Sequence, residues 1–409
     1  MAIADDASGT RLSRRSAWDR EPSAFAETLR RARSGGRALL DLTESNPTRV
    51  ALAYPDEAIA TAYARAARAA YEPEPFGLVS AREAVARAYA PGVDPDRVLL
   101  TASTSEAYSH LFRLLADPGD VVLVPRPSYP LFRLLAELDG IEIASYRLDA
   151  SDGWRPDWDS LEAAACGRPV RAVVIVSPNN PTGSSLDRGA IAALAERARE
   201  RRWAIIADEV FCDYRDEGVS LVAARDAGLL GDVTWFALGG LSKSAGLPGA
   251  KLAWTVLGAG PSTLGEIQAR LEVIADTFLS PSMVVQTALP DLLALAPAIR
   301  ARIQERLAAN RDTLARSLAG SPVSALPVAG GWSAVLRVPR LRGDEDWAAE
   351  LVLEDGVIVH PGSFFEFDSD GHLVVSLLPE TAVFSEGSRR IVDRVRRACG
   401  ETVGYTRAP

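Results

Sequence analysis

The segment GGLSKSAG, residues 239–246, places Lys243 between two serines in a glycine-rich loop. A loop lysine can bind phosphate as a point charge, form a Schiff base with a carbonyl compound, or lie in solvent. The phosphate-loop motif GxxxxGK[ST] needs a glycine directly before the lysine, whereas Ser242 precedes Lys243. The spacing therefore excludes that loop and leaves Schiff-base chemistry or a solvated side chain.

Polar segments follow three apolar runs that are typical of buried strands. SPNNPTG follows the run that ends at Val176, Asp208 ends the next run, and the Lys243 loop follows the run that ends at Leu238. The carboxyl ends of parallel strands form the edge at which such sheets bind ligands. A carboxylate on a buried strand needs a positive partner, because burying it alone is costly. A protonated pyridinium ring, as in pyridoxal phosphate, is such a partner.

The composition indicates a globular protein with a small-molecule partner. Hydrophobic residues make up 47% of the chain and charged residues 24%, a balance that disordered proteins lack. The formal net charge of −9 argues against nucleic acid and anionic membranes as partners. The three cysteines and three histidines show no ligand spacing, so we expect no metal site. No signal-peptide pattern opens the chain, and we expect a cytoplasmic location.

Strand-like and helix-like runs alternate from residue 97 onward, which predicts an α/β fold. We expect a three-layer αβα sandwich with a mostly parallel central sheet, and a smaller α+β domain after a long helix over 284–318. The strand-like run GVIVHP, residues 356–361, belongs to that smaller domain. The predicted division is an N-terminal arm with part of the small domain over 1–48, a large domain over 49–288, and a C-terminal small domain over 289–409.

Three segments together resemble the class I/II aminotransferases, which are fold type I pyridoxal-phosphate enzymes. They are SPNNPTG at 177–183, DEVF at 208–211 and SKSAGLPGAK at 242–251, in the order and at the separations that the family shows. With TASTSEAY and PRPSYP they cover most of residues 40–380. The resemblance implies the PLP-dependent transferase fold, pyridoxal 5′-phosphate as the cofactor, and transfer of an amino group between an amine and a keto acceptor.

The same resemblance assigns roles around the cofactor ring. Lys243 matches the lysine that forms the Schiff base and then moves a proton, and Asp208 matches the acid that pairs with the pyridine nitrogen. Asn180 matches the amide that bonds the ring hydroxyl and lies near the substrate. Tyr129 matches the aromatic side chain that stacks on the ring. Each has a plainer alternative: a solvated lysine, a structural ion pair, a turn residue and a packing aromatic.

Further matches concern the cofactor phosphate. Thr104 and Ser105 open a predicted helix, whose free N–H groups favour an anion. Ser242 belongs to the lysine block and is a candidate cofactor contact. Lys251 stands where the family usually has a phosphate-binding arginine, and it keeps the charge without the bidentate fork. Tyr71 matches a tyrosine that the family contributes from the neighbouring subunit, which implies a homodimer; the alternative is an ordinary packing aromatic.

The chain departs from the family near the substrate. Members hold the substrate α-carboxylate with an arginine in a C-terminal strand, and Val374 stands at that position; Arg49 and Arg15 are the candidates to replace it. Many members have a tyrosine where Phe211 stands, and because phenylalanine cannot donate to the ring oxygen we expect a less acidic Schiff base. Ser45 stands where a glycine near the substrate is common, and it is a candidate substrate contact.

Two alternatives to transamination remain open at this point. The fold does not choose among reactions, so the chain could be a lyase, cyclase, decarboxylase or oxidase with the same cofactor, which the loss of the carboxylate-binding arginine favours. It could also be a ligand sensor without turnover, although the acidic charge and the lack of a preceding DNA-binding segment argue against that.

Overall fold

The continuous apolar runs form the strands of one large sheet and of two smaller ones. The computed structural model describes residues 12–18 and 20–400. Within them the strands are β1 (Leu40–Asp41), β2 (Val98–Thr101), β3 (Val121–Arg126), β4 (Glu142–Asp149), β5 (Arg155–Pro156), β6 (Val170–Val176), β7 (Ala204–Asp208), β8 (Trp235–Gly240), β9 (Ala253–Gly258), β10 (Ser324–Ala325), β11 (Ser333–Arg337), β12 (Val357–Ile358), β13 (His360–Pro361) and β14 (His372–Ser376).

Helices connect these strands and cover the large sheet. They are α1 (Ala24–Ser34), α2 (Asp56–Ala66), α3 (Val79–Tyr89), α4 (Thr104–Leu115), α5 (Leu131–Asp139), α6 (Trp158–Ala165), α7 (Arg188–Arg201), α8 (Leu221–Asp226), α9 (Leu241–Ser244), α10 (Pro261–Phe278), α11 (Met283–Leu318), α12 (Asp344–Glu350) and α13 (Thr381–Ala398). A π-helical turn, Leu351–Asp355, extends α12.

The large sheet has the order β2-β9-β8-β7-β6-β3-β4-β5. The five strands from β8 to β4 run parallel, while β9 and β5 are antiparallel to their neighbours. Alternate residues of β3 enter different cores: Val121 and Leu123 face one helical layer, and Val122 and Val124 face the other. The predicted αβα sandwich with a mostly parallel sheet is therefore confirmed.

The small domain has its own core beneath a sheet of order β10-β11-β14-β13. Strands β1 and β12 pair in parallel, so the chain before α2 contributes to this domain. Leu42 and Val50 pack into the small-domain core, whereas Ala62 of α2 packs into the large-domain core. Residues 1–11 of the predicted N-terminal arm lie outside the described residues.

Helix α11 joins the two domains without interruption. Its first half packs into the large-domain core through residues such as Leu289, and its second half packs into the small-domain core through residues such as Ile303. The boundary predicted at residues 288 and 289 falls inside this helix. By length and composition alone α11 could cross a membrane, a property that core helices of this length share. The helix fixes the position of the small domain beside the edge where the site lies.

Candidate active site

Strand register brings the predicted segments to one edge of the large sheet. Asp208, the last residue of β7, pairs with Val176 at the end of β6 and with Leu238 of β8. Ala253 at the start of β9 pairs with Gly240 at the end of β8 and with Thr101 at the end of β2. The segments that follow β2, β6, β7 and β8 therefore meet, together with the residues that precede β9.

Lys243 lies on the short helix α9 with its amine inside an aromatic enclosure. Its Nζ lies 4.7 Å from the ring centroid of Trp332 and 5.4 Å from that of Phe211. The Tyr214 hydroxyl donates a 2.8 Å hydrogen bond to the Lys243 carbonyl, which holds the backbone in place. Burial lowers the pKa of Lys243 to about 8, because the charged amine loses hydration, and the nearby carboxylate of Asp208 offsets part of this shift.

Asp208 presents a partly buried carboxylate beside this amine. Its Oδ1 accepts a 3.2 Å hydrogen bond from the Val210 N–H, and its Oδ2 accepts a 3.3 Å bond from the Tyr108 hydroxyl. Burial raises the pKa of Asp208 to about 6, and the two hydrogen bonds and the Lys243 amine act in the opposite direction. The bonds are long and leave acceptor capacity, so a ring N–H⁺ fits this carboxylate as a partner.

The start of α4 offers unpaired N–H groups at the same edge. Ser103 caps this helix, because its Oγ accepts a hydrogen bond from the Glu106 N–H, and Glu106 Oε2 accepts one from the Ala102 N–H. In the part of the chain that the structure describes, the N–H groups of Thr104 and Ser105 have no acceptor. Two free N–H groups at the positive end of a helix dipole suit a phosphate.

Lys251 lies two residues before β9 and therefore close to the end of β2 and the start of α4. Its backbone has φ +52°, a left-handed conformation that is rare for a side chain of this kind, and its ammonium is exposed. It forms no ion pair with any residue that the structure describes. This free charge fits an anion bound at the start of α4. Ser242, also predicted as a cofactor contact, is half-buried on α9.

The loop that carries Asn180 is pressed against the small domain. Ser333 Oγ lies 3.4 Å from Asn180 Oδ1, at the limit of a hydrogen bond. Gly183 has φ +68°, and a Cβ there would lie 2.4 Å from the Gly330 carbonyl oxygen, so this turn needs glycine for both conformation and space. The contact places β11 at the rim of the site.

Several predicted residues lie farther from the lysine. Tyr129 is 46% exposed and Tyr71 is 70% exposed, and neither contacts Lys243 or Asp208 in the described part of the chain. Ser45 is exposed, and the exposed Arg49 lies 3.7 Å from Glu44 in an ion pair. The roles predicted for these residues remain predictions.

The suggestion that Arg15 replaces the carboxylate-binding arginine is wrong for the site of its own chain. Its guanidinium lies beside Gly140, just before the start of β4. Ligand-binding residues follow the carboxyl ends of the parallel strands, whereas the start of β4 is at the opposite edge of the sheet. Val374 is buried rather than open to solvent, and it packs with Val335 and Phe365.

Sequence reasoning missed the aromatic enclosure around the lysine amine. Trp332 is 2% exposed, its ring meets those of Phe211 and Tyr214 edge to face, and its Nε1–H has no acceptor among the described residues. The signal was the tryptophan directly after the Gly330-Gly331 pair. A stronger signal was composition: of the 45 basic residues only two are lysines, Lys243 and Lys251. Both belong to the same block, and at position 243 an arginine could not form a Schiff base.

These groups together fit pyridoxal 5′-phosphate. A buried carboxylate suits the pyridine nitrogen, unpaired N–H groups and a free lysine suit the phosphate, and a buried amine of lowered pKa suits the aldehyde.

Comparisons with known proteins agree with this fit. The tyrosine aminotransferase of Bos taurus is 29% identical over 332 residues, which cover 77% of this chain and 72% of that protein. The aspartate/prephenate aminotransferase of Thermus thermophilus is 27% identical over 390 residues, which cover 93% of this chain and 97% of that protein. The solved alanine aminotransferase of Pyrococcus furiosus superposes with a TM-score of 0.84 at 25% identity, covering 95% of this chain and all of that one.

The sequence model described as aminotransferase class I and II matches residues 38–383, most of the chain. The match includes every strand and helix that borders the site from β1 to β14. The chain therefore belongs to the class I and II aminotransferase family, whose members are transferases that use pyridoxal 5′-phosphate.

Proposed function

We propose that this chain is an aminotransferase that moves an amino group from a donor to a keto acceptor, with Lys243 as the residue that binds the cofactor covalently. The observation that carries the proposal is the partly buried Lys243 amine, which lies over the Trp332 ring and near the Asp208 carboxylate. When bound, pyridoxal phosphate supplies an aldehyde that captures amines and a ring that withdraws electrons from the donor α-carbon.

The environment of Lys243 suits both attachment and proton transfer. With a pKa of about 8, roughly a tenth of the Lys243 amines are uncharged at pH 7, whereas an ordinary lysine is almost fully protonated. With the cofactor bound, the free Lys243 amine would take a proton from the donor α-carbon and deliver it to the aldehyde-derived carbon on the other side of the donor nitrogen. The Tyr214 hydrogen bond and the short helix α9 keep the amine within reach.

Asp208 maintains the charge that this chemistry needs. Its carboxylate is buried and receives only two long hydrogen bonds, so a ring N–H⁺ gives it the partner that its surroundings lack. Pairing with that cation favours the ionised carboxylate, which opposes the upward pKa shift that burial causes. The electron demand of the ring is thereby sustained through the proton transfer.

The aromatic enclosure reduces the hydration of the amine. Trp332 and Phe211 are almost fully buried, and Tyr214 packs against Trp332 from the other side. Reduced hydration strengthens the attraction between the Lys243 and Asp208 charges.

Transamination is favoured over the other reactions that the cofactor supports, because the relatives described above are all named as aminotransferases. The test mixes cofactor-loaded enzyme with single amino acids and amines, without a keto acceptor, and follows the absorbance of the bound cofactor. We expect conversion to the amine form of the cofactor, one keto product per site, and recovery on addition of a keto acid. Release of ammonia or carbon dioxide with continued turnover would instead show a lyase or decarboxylase.

We also propose a homodimer in which Tyr71 contributes to the phosphate site of the other copy. Its hydroxyl has no hydrogen-bond partner among the described residues and its side chain is largely exposed, which suits a contact outside its own chain. Exposed apolar side chains at Val273, Phe278 and Leu279 on and after α10 offer surface for association. Light scattering on the purified enzyme tests this, and a monomer with full activity would contradict it.

A further inference from the structure

Residues 43–53, which we call the bridging segment, connect two parts of the molecule that border the site. At the start of the segment, the Ser376 N–H at the end of β14 donates a 2.7 Å hydrogen bond to the Leu42 carbonyl. Ser376 pairs across the small-domain sheet with Ser333, which is the residue that contacts Asn180. The bridging segment therefore begins beside the loop that carries Asn180.

The bridging segment ends beside the lysine loop. The Tyr54 hydroxyl, directly after the segment, donates a 2.7 Å hydrogen bond to the Gly246 carbonyl. The Gly246 N–H in turn donates a 3.2 Å hydrogen bond to the Lys243 carbonyl. Because both of its ends are tied to elements of the site, the bridging segment lies along one side of the site.

Local hydrogen bonds fix the shape of the bridging segment. The Asn46 N–H donates a 2.9 Å hydrogen bond to Glu44 Oε1, and the Thr48 N–H donates a 3.0 Å hydrogen bond to Asn46 Oδ1. Pro47, between them, is buried and opens a single helical turn that contains Arg49. The backbone that carries Arg49 is therefore held in place before a ligand arrives, which lowers the cost of binding.

The bridging segment has one basic residue, Arg49, and one acidic residue, Glu44. Arg49 Nη1 lies 3.7 Å from Glu44 Oε2, too far for a hydrogen bond, and 71% of the Arg49 side chain is exposed. The guanidinium forms no hydrogen bond with any residue that the structure describes. Its N–H groups are therefore available to a ligand, because Glu44 holds them only weakly.

Other basic side chains near the site are placed differently. Arg126, at the end of β3, lies 2.5 Å from Asp368 in an ion pair. Arg215 Nη1 has no hydrogen-bond partner among the described residues, but this atom is buried, and Arg215 lines a separate cavity of about 190 Å³ behind α9 together with Glu209. Lys251 suits the cofactor phosphate. Arg49 therefore offers the cation that is open to a substrate entering from solvent.

From these observations we infer that Arg49 determines the class of donor: its guanidinium binds the α-carboxylate of an amino acid, in place of the arginine that is absent at Val374, and Glu44 is its counter-ion in the free enzyme. This inference rests on the proposed function, since it names the substrate class of that same site. A planar guanidinium can donate two parallel hydrogen bonds to a carboxylate. The donors are therefore amino acids rather than amines that lack an α-carboxylate.

The first test compares matched donors on the cofactor-loaded wild-type enzyme: L-tyrosine with tyramine, L-phenylalanine with 2-phenylethylamine, L-leucine with isoamylamine, and L-alanine with ethylamine. We expect kcat/KM for the amino acid to exceed that for the amine by at least about tenfold in each pair that reacts, because only the amino acid offers Arg49 a carboxylate. Equal or higher kcat/KM for the amines would overturn this inference and leave the proposed transamination intact. Conversion of no donor at all would overturn both.

The second test identifies Arg49 as the group responsible. On the preferred amino acid, Arg49→Met should raise KM about tenfold with kcat little changed, because the lost contact binds substrate and transition state alike. KM for the matched amine should stay within about threefold of wild type, and Arg49→Lys should recover part of the loss. The control Arg30→Met removes an arginine on α1 that is 68% exposed and paired with Glu27, and it should change neither KM. Equal changes for amino acid and amine in Arg49→Met, or no change, would overturn the inference.

The third test needs no variant. Salt screens exposed charges, so raising sodium chloride from about 0.05 M to about 0.5 M should raise the wild-type KM for the amino acid by about threefold. The KM for the matched amine, which presents no carboxylate to Arg49, should change less. An equal salt dependence for both donors would contradict the role of an exposed guanidinium, even where Arg49→Met fails to fold.

Discussion

The two domains differ in chemistry where they meet at the site. The large-domain edge carries the Lys243 amine, the Asp208 carboxylate and the free N–H groups at the start of α4, whereas the small-domain sheet carries a buried apolar cluster of valine and phenylalanine and contacts the site through Ser333. The first set fits a cofactor that every member of the family shares, and the second supplies packing. The comparison teaches that the groups with reactive chemistry lie on the large domain, while the small domain supports the rim of the site.

Lys243→Arg should have the largest effect, because a guanidinium stays protonated and cannot condense with an aldehyde. We expect kcat to fall by at least about 10⁴-fold, a loss typical of a deleted covalent catalyst. Steady-state turnover with the best donor measures it. The control is Lys251→Arg, eight residues along the same block, which should keep kcat within about tenfold of wild type. A Lys243→Arg enzyme with turnover close to that of wild type would mean that the catalytic role of Lys243 has been misassigned.

Asp208→Asn should have the second-largest effect on kcat. The amide keeps the size of the carboxylate but removes the charge that pairs with the ring nitrogen, so we expect kcat to fall by about 10²- to 10³-fold. Tyr108→Phe, which removes only the 3.3 Å hydrogen bond to Asp208, is the matched control and should cost less than about tenfold. If Asp208→Asn and Tyr108→Phe lose equal activity, catalysis depends on the hydrogen bond between Tyr108 and Asp208 rather than on the charge of Asp208.

Lys251→Ala should weaken cofactor binding rather than catalysis. Loss of one charged contact to the phosphate predicts a rise in the Kd of pyridoxal phosphate by about tenfold, with kcat little changed at saturating cofactor. Dialysis followed by titration of the cofactor measures the Kd, and Lys251→Arg should restore most of the affinity. An unchanged Kd in Lys251→Ala would place the phosphate elsewhere.

The pH dependence of cofactor capture should show the lowered pKa of Lys243. Only the uncharged amine attacks an aldehyde, so the capture rate of the cofactor-free protein should rise about tenfold between pH 7 and pH 9, with its midpoint near pH 8. Rapid-mixing absorbance measurements at a series of pH values provide the curve. A midpoint near pH 10 would show that the aromatic enclosure does not desolvate this amine.

Phe211→Tyr should have the smallest effect. The new hydroxyl can donate to the ring oxygen and stabilise its negative charge, which Phe211 cannot do, so the pH midpoint of the bound cofactor's absorbance should fall by about one unit. Phe211→Leu keeps the position apolar and should leave the midpoint near that of wild type. A rise of this pH midpoint in the Phe211→Tyr enzyme would indicate that the side chain at position 211 faces away from the ring oxygen.

Most of the large domain could be predicted from the sequence, because its central strands are continuous apolar runs. Strand β4 is harder to identify, since its burial alternates along Glu142–Asp149 and its pattern is that of a half-exposed strand. The run GVIVHP looks like one strand, but it divides at Val359 into β12 and β13, which pair in different sheets. Local pattern does not encode which sheet a short segment will join.

Within the site, the residues at strand ends could be predicted because each lies in a short local motif. Trp332 and the buried cluster of Val335 and Val374 beside the site could not, since these valines are distant in sequence and meet only through the pairing of β11 with β14. The sequence showed at Val374 that an arginine is missing. Only the structure shows that Phe365 packs against it and that the guanidinium of Arg126 pairs with Asp368.

The central claim is that Lys243 carries the cofactor, and the chain makes that claim unusually easy to test because it has only two lysines. Borohydride reduction of the cofactor-loaded enzyme, followed by proteolysis and mass spectrometry, locates the pyridoxyl label. We predict a single label on the peptide that contains Lys243 and none on Lys251. Labelling of Lys251, or of neither lysine, would contradict the assignment of Lys243.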